Sequence, residues 1–455
     1  MEVSLLKRYK KVPLATPQLI SLGFAAVIFG GALLLMLPIS NRQGEITPFI
    51  DALFTATSAT CVTGLTTVNT AQHWTPFGQL IILLMIETGG LGFMSLPVFF
   101  FMIAKKKINL RTRMLLKDSL NLDQMNGGVN LMRYILLTSV IIQGLGVFAL
   151  SFSFVPRYGW IKGIWFSIFH SVSSFCNAGF DLLGDSLAND QQDIWLLFVV
   201  MTLIIAGGLG FLVWYDIMQY HTRKRLSIHS KIALTMTASL LIFGTFGFYL
   251  TEHNAQNLVV GNWLQRLFNT MFMAVTPRTA GYYSVSYFEM SHAGLILTIV
   301  LMYIGGASGS TAGGLKTTTF GVLLIQMKSI LKGRNQAEFS GRTIPNSAIF
   351  RALTLFFITL TLCIFATMIL SITEKIPDVD GLGLEYIVFE VVSAFGTVGL
   401  TMGLTPELSI IGKIIIISLM FIGRVGIMTV LFSLIAKSRQ QEQHFKYPEE
   451  SVLIG

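Results

Sequence analysis

The chain has 455 residues, 53% of them hydrophobic and only 12% charged, with a mean hydropathy of +0.67. That excludes an ordinary water-soluble domain and indicates a protein solvated largely by lipid. The formal net charge of +9 would suit nucleic acid if it formed one patch, but 23 of the 32 Lys and Arg fall in five separate short segments.

Taken in chain order, Leu19–Leu37 is the first apolar helix, nineteen residues without a charge and stopped by Pro38. The runs Leu136–Val155, Ile232–Leu250 and Leu353–Ile372 are similar. Each can cross about 30 Å of hydrocarbon at about 1.5 Å per residue. The basic head before the first run lacks an A-x-A site after it, so no signal peptide is expected. After the first helix, Asp51 is a candidate N-cap for a short helix Ala52–Ala59, too short to span, with Thr60–Leu65 as a loop and a second helix from Phe77 through Met94. The same order recurs at Leu131–Val155, Gly163–Phe175, Asn177–Gly179 and Ile194–Trp214. It recurs at Ile232–Leu250, Trp263–Val275, Thr279–Gly281 and a ragged helix from His292 through Gly305 to Lys328. It recurs last at Arg351–Ile372, Leu384–Phe395, Thr397–Gly399 and Ile411–Ala436.

These are four copies of one unit, and internal repeats decide a fold before any single element does. Ten residues before Gly64, Gly179, Gly281 and Gly399 stand Phe54, Phe169, Met271 and Phe389. Between 24 and 28 residues after them come Gly89, Gly207, Gly305 and Gly423, each opening a small-residue cluster. The expected fold is an all-α membrane protein of four pseudo-symmetric helix–pore-loop–helix repeats, with eight spanning helices and four pore helices around one central pore. The units run 1–104, 105–220, 221–335 and 336–437, with a cytoplasmic tail at 438–455.

The basic segments are the two tails and the three links between repeats: 4 Lys/Arg before Pro17, 7 in Ala104–Arg133, 4 in Asp216–Lys231, 5 in Gln326–Arg351 and 3 after Ala436. Acids such as Glu45, Asp51, Asp181, Asp185, Glu374 and Glu385 occupy the intervening loops. The positive-inside rule then puts both termini and all links in the cytoplasm. Cys61, Cys176 and Cys363 lie in or beside apolar segments and imply neither disulfides nor a zinc site. Cys61 and Cys176, three before their glycines, read as small residues packed behind the loops.

Irregular backbone is tolerated within a membrane only where it is buried in protein or lines a water-filled cavity. Four such loops imply a cavity. Glycine allows backbone dihedrals that would turn carbonyls to one axis. Carbonyl oxygens replace a cation's water shell, and the short helices aim their partly negative C-termini at the same place. The loops hold no acid, so a weakly hydrated monovalent cation fits better than calcium. The expected filter is the backbone of Val62, Thr63, Gly64, Asn177, Ala178, Gly179, Thr279, Ala280, Gly281, Thr397, Val398 and Gly399. Small-residue packing between helices would explain the glycines alone, but not the half-helices. A membrane enzyme would need clustered acids, His or a nucleophile in the spans, and the sequence offers none.

Thr55 through Ala59 with Val62 through Leu65, Phe175 through Phe180, Thr276 through Gly281, Ser393 through Thr405 and the tail Lys446-Tyr447-Pro448 together resemble the Trk/Ktr/HKT superfamily of potassium transporters, above all its bacterial KtrB-like branch. The resemblance covers nearly the whole chain. It implies a potassium-channel-like fold and inward K+ conduction, with K+ the transported ion and no organic cofactor in this chain. In that family four filter glycines accompany potassium selectivity, and a Ser in the first goes with sodium. Sodium dependence stays open, and the alternative is an Na+-coupled secondary cation transporter or a sodium-translocating member of the same superfamily. Repeats that all run the same way weaken the alternating-access reading, whose usual mark is inverted repeats.

Gly305 through Gly314 is ten small residues, and glycine costs about 1 kcal/mol each in a helix, so the span should break there and line the pathway. Gly309 to Thr317 nearly spells a phosphate-binding loop, but Leu315 intrudes before Lys316 and no strand precedes it. The resemblance implies instead a gating loop, 305–316, carried by Gly305, Gly306, Ser308, Gly309, Ser310, Gly313, Gly314 and Lys316, with Arg424 beneath it. Arg278 reads as bracing carbonyls from behind. His170 and Glu390 read as packing or bracing groups, and Glu87 in an apolar run either pairs with a basic residue or faces the lower vestibule, with nothing in the sequence to choose between them. The resemblance further implies a bacterial plasma-membrane location and a homodimer on a KtrA/KtrC-like cytoplasmic ring that binds the nucleotide. The tail from Phe445 through Gly455 would then pack between protomers.

Overall fold

The computed structural model describes residues 16–92, 128–253, 261–334, 336–377 and 383–435. Both tails, most of the first link and the tail segment expected to join protomers lie outside them.

Four helices are long and apolar enough to cross a membrane: α1 (Thr16–Met36), α4 (Gly128–Tyr158), α8 (Ile228–Thr251) and α12 (Asn346–Thr373). Their lipid-facing residues stay bare: Phe29, Leu33, Phe148, Phe246 and Phe365 are all exposed. In lipid this costs nothing, because the solvent is as apolar as the side chain. Each long helix packs on one short helix that follows it, respectively α2 (Phe49–Cys61), α5 (Trp160–Cys176), α9 (Trp263–Val275) and α13 (Glu385–Gly396). The short helices are the centre. Phe54, Phe169, Phe272 and Phe389 are completely buried in one continuous apolar core.

A second set of helices follows: α3 (Pro76–Leu91), α6 (Ile194–Gly208), α10 (His292–Tyr303) and α14 (Ile410–Val425). Two of them are the first arms of bent pairs. The sequence predicted unbroken helices over Ile194–Trp214 and Ile411–Ala436. Instead α6 turns by 93° into α7 (Phe211–Met218), and α14 turns by 102° into α15 (Ile427–Ile435). The hinges are Gly210 and Gly426, with φ of +92° and +93°. A helix cannot pass through that conformation, and only glycine adopts it without strain. Counting each bent pair as one span gives six spans among the described residues. After α10 the chain has no helix until α11 (Thr317–Leu331). A small antiparallel hairpin, β1 (Glu338–Phe339) with β2 (Arg342–Thr343), departs from the purely helical expectation.

α10 and α14 are capped by Ser291 and Ser409, and carboxylates from the ends of the preceding long helices hold those caps. Glu252 accepts from the Ser291 hydroxyl at 2.6 Å, and Glu374 accepts from the Ser409 hydroxyl at 2.5 Å and the Ser409 N–H at 2.9 Å. Asp193 caps α6 from within and accepts from Ser153 at 2.5 Å. Asp51, expected as an N-cap, lies in the first turn of α2 behind Pro48, which holds the cap position. Its carboxylate is taken by Lys413 at 2.8 Å.

Candidate functional site

The four loop glycines meet at one place. A Cβ added to Gly64 would stand 2.6 Å from the carbonyl oxygen of Ala178; on Gly179 it would stand 2.8 Å from that of Ala280. On Gly281 it would stand 2.7 Å from that of Val398, and on Gly399 it would strike that of Thr63. Each glycine thus abuts the residue before the next glycine in chain order, and the fourth returns to the first. A methyl group at any of the four would collide with backbone, which cannot give way.

The loops share one unusual backbone. Two residues before each glycine, Val62, Asn177, Thr279 and Thr397 have φ of +58°, +60°, +76° and +51°. Asn tolerates this left-handed region, but for β-branched Val and Thr it is a genuine outlier. Such strain costs on the order of 1–3 kcal/mol each and persists only where the surroundings over-determine it. Here hydroxyls from the ends of the short helices do so. Ser58 accepts from the Gly64 N–H at 3.0 Å, and Ser393 accepts from the Gly399 N–H at 3.2 Å. Ser173 donates to the Phe180 carbonyl at 2.8 Å, Ser393 to Leu400 at 2.6 Å, and Thr276 to Tyr282. Neighbouring loops are tied together by Tyr282, whose hydroxyl donates to the Phe180 carbonyl at 3.0 Å, and by the Asn177 and Thr279 side chains 3.1 Å apart. The hydroxyls six residues before three of the glycines were the available signal in the sequence.

The second ring of glycines docks on the first. A Cβ on Gly89, Gly207 or Gly423 would strike the carbonyl oxygen of Thr60, Phe175 or Phe395, each four residues before its own loop glycine. Gly305 breaks the pattern, because its nearest backbone is the Gly313 carbonyl in its own segment. The segment 304–316 folds back on itself: the Gly305 N–H donates to Leu315 at 2.8 Å and the Thr317 N–H to Gly306 at 3.0 Å. It rests on the α6–α7 elbow, where the Ala307 N–H donates to Gly208 at 2.9 Å and the Phe211 N–H to Gly309 at 2.8 Å. Thr311 reaches the Phe175 carbonyl at 3.2 Å. Gly313 and Gly314 press on Thr397 and Gly396 at the fourth loop.

Two cations hold this segment by carbonyls. Arg424 donates to Gly90 at 2.8 Å, to Gly89, and to the carbonyl of Thr311. Lys316 donates to Ala312 at 2.6 Å. The hydroxyls of Ser308 and Thr318 pair at 2.7 Å, and Ser310 accepts from the Ala312 N–H. Arg424 is therefore bound inside the protein and does not reach outward from a helix end.

Four residues take positions that the sequence left open or misread. Among the described residues Arg278 donates to no carbonyl: its guanidinium is buried and donates to the Thr237 hydroxyl of α8 at 3.2 Å. Glu87 accepts from Gln143 at 2.9 Å and from the Cys176 thiol at 3.4 Å, behind the second loop. Glu390 accepts from Thr401 at 2.9 Å and from Thr405, bracing the fourth loop from behind. His170 lies 2.8 Å from the Phe166 carbonyl and accepts from the Leu182 N–H at 3.4 Å, so the imidazole is neutral with its proton on Nδ1.

Outside the spanning segments, Asp181 follows the second loop and accepts from the N–H groups of Leu183 at 2.8 Å and Gly184 at 2.6 Å. Burial raises its pKa, against those two hydrogen bonds.

Comparison with known proteins fits this architecture. The family described as TrkH, cation transport protein, matches residues 17–447. The chain is 61% identical over 453 residues to the potassium/sodium uptake protein NtpJ of Enterococcus hirae, covering all of both chains. It is 41% identical to the Ktr system potassium uptake protein B of Bacillus subtilis, covering 99% of each. The crystal structure of the potassium transporter TrkH from Vibrio parahaemolyticus superposes with a TM-score of 0.72 over 94% of this chain and 86% of that one, at 15% identity, which is a likeness of fold. This chain belongs to the TrkH family of cation transport proteins, and it is a membrane protein.

Proposed function

We propose that the chain is the ion-translocating membrane subunit of a potassium uptake system, conducting K+ inward through a ring of backbone carbonyls. The observation that carries this is the closed cycle from Gly64 through Gly179 and Gly281 to Gly399 and back. In this reading the carbonyls of residues 62–64, 177–179, 279–281 and 397–399 replace the hydration shell of the ion. The left-handed residue two before each glycine sets the alternation of peptide planes that such a lining needs. The chain is four helix–pore-loop–helix units, 1–104, 105–220, 221–335 and 336–437, with eight spans, α10 and α11 forming the interrupted one.

Segment 305–316 is the gate. Its contacts support this: it bridges the α6–α7 elbow, the end of α5, the fourth loop and Arg424. The names of two relatives, each a Ktr system potassium uptake protein, support a further component of the system; in this reading the chain is a homodimer on a cytoplasmic ring whose subunits carry the nucleotide. Both termini are cytoplasmic on the distribution of Lys and Arg. Sodium as a second ion has its own support in the relative at 61% identity, whose name includes it.

The test is rubidium and sodium flux into vesicles holding the purified protein. Wild type should favour rubidium, and Gly64→Ser should shift the preference toward sodium. An unchanged preference in a folded Gly64→Ser variant sinks the filter reading.

A further inference from the structure

A groove of about 260 Å³ opens between α8, α11 and the β-hairpin, away from the ring of glycines. Gly321 makes it. There α11 comes so close to α8 that a Cβ would stand 2.8 Å from Met236 Cγ and 2.9 Å from Ile232 Cγ2. The floor is apolar: Ile232, Met236, Leu324 and Ile325. The rim carries Lys328, Lys332 and Arg334. Arg334 is engaged by Glu338 at 2.8 Å, whereas among the described residues neither lysine has an acidic partner. Next to the groove the last turns of α11 leave Met327, Ile330 and Leu331 exposed.

An apolar floor that continues onto an exposed apolar face, closed at one end by two free ammonium groups, fits a two-part ligand. A free anion would meet the lysines and leave the floor wet. A neutral lipid would cover the floor and leave the lysines bare. Basic groups at a membrane surface attract anionic lipid, each contributing a modest amount. We infer that one anionic glycerophospholipid occupies this groove, its phosphate between Lys328 and Lys332 and an acyl chain over Ile232, Met236, Leu324 and Ile325. The lipid wedges α8 against α11. Because α11 starts directly after Lys316, that wedge bears on segment 304–316. The binding site does not depend on the transport reading above; only its effect on flux does.

The full chain, stripped of lipid in detergent, is titrated with phosphatidylglycerol and, separately, phosphatidylcholine, and followed by native mass spectrometry and thermal unfolding. One phosphatidylglycerol per chain should remain bound and raise the melting temperature, with phosphatidylcholine ineffective. K328Q/K332Q should raise the half-saturating concentration about tenfold. K224Q/R225Q, at exposed basic positions outside the groove, should leave it unchanged. Ile325→Trp fills the floor, keeps the lysines and should also abolish retention, which decides the matter if the lysine variant folds poorly. Equal binding of phosphatidylcholine, displacement by inorganic phosphate, or equal losses in the two double variants would overturn the site. Rubidium flux that responds to phosphatidylglycerol in wild type but not in Ile325→Trp would tie the site to the gate; binding without that response leaves the lipid site standing and refutes only its coupling.

Discussion

Lys413 Nζ lies 2.8 Å from Asp51 Oδ1, an ion pair between the start of α14 and the first turn of α2 that joins residues 362 apart in sequence. Both side chains are about six-sevenths buried, at 14% and 16% exposure. The pair fastens α14 to α2. A buried pair of this kind is a poor source of net stability, but removing one partner strands the other charge, at about 3–5 kcal/mol. Asp51→Asn should therefore lower the melting temperature of the detergent-solubilised protein markedly. The double variant Asp51→Leu with Lys413→Met should recover most of that loss. If the single and double variants melt alike, the pair is not the clasp.

Gly281 separates the backbone requirement from side-chain chemistry. Its φ is +76°, and a Cβ there would press on the Val398 carbonyl at 2.7 Å and the Gly179 Cα at 3.0 Å. Gly281→Ala should reduce cation flux by at least tenfold while protein yield and size in detergent stay near wild type. Ala280→Gly, one residue earlier, should keep more than half of the flux. Equal flux in the two variants would show that the close approach has no role in conduction.

The Thr311 carbonyl is held by Arg424, which also ties down Gly89 and Gly90. Replacing Arg424 by Gln removes the charge-assisted bonds and frees the segment from Gly89 and Gly90 of α3. Flux through Arg424→Gln should rise several-fold, and deleting residues 308–312 should raise it further. Lower or unaltered flux in a folded deletion variant would refute the gate.

His73, between α2 and α3, gives a pH signature. It lies 3.1 Å from the Thr47 hydroxyl, and burial lowers its pKa, opposed in part by the nearby charge of Asp51. A lowered histidine contributes stability that is fully present above its unfolded value of 6.5 and is lost as pH falls through the folded value. The melting temperature should decline as pH is taken below 6.5, and His73→Gln should flatten that part of the profile. A decline of the same slope in His73→Gln would assign it to another group.

Much of the arrangement was legible without coordinates because it rests on short-range patterns. Four apolar runs gave α1 and α8 to within four residues and found α4 and α12, which begin eight residues before Leu136 and seven before Leu353, since length and hydropathy alone decide what can cross lipid. Trp263–Val275 was placed to the residue, and the glycine-rich stretch after α10 proved to be free of helix, as ten small residues dictate. The repeat spacing singled out the four glycines that meet at the centre.

What the tertiary structure decided is where those pieces bend and what they touch. The apolar pattern runs straight through Gly210 and Gly426, so periodicity reported a helix while the backbone turns by 93° and 102°. Asp51 looked like a cap because an acid at a helix start often is one, yet Lys413 from the far end of the chain claimed it. Arg278 found Thr237, and Glu87 found Gln143 and Cys176. The left-handed Val62, Thr279 and Thr397 run against their own preferences, held by hydroxyl clamps or by neighbouring loops. Sequence by itself determines burial, length and turn chemistry, which are local energies. Partners of buried charges and strained backbones are fixed by proximity between distant segments, and that exists only once the four loops have closed on one another.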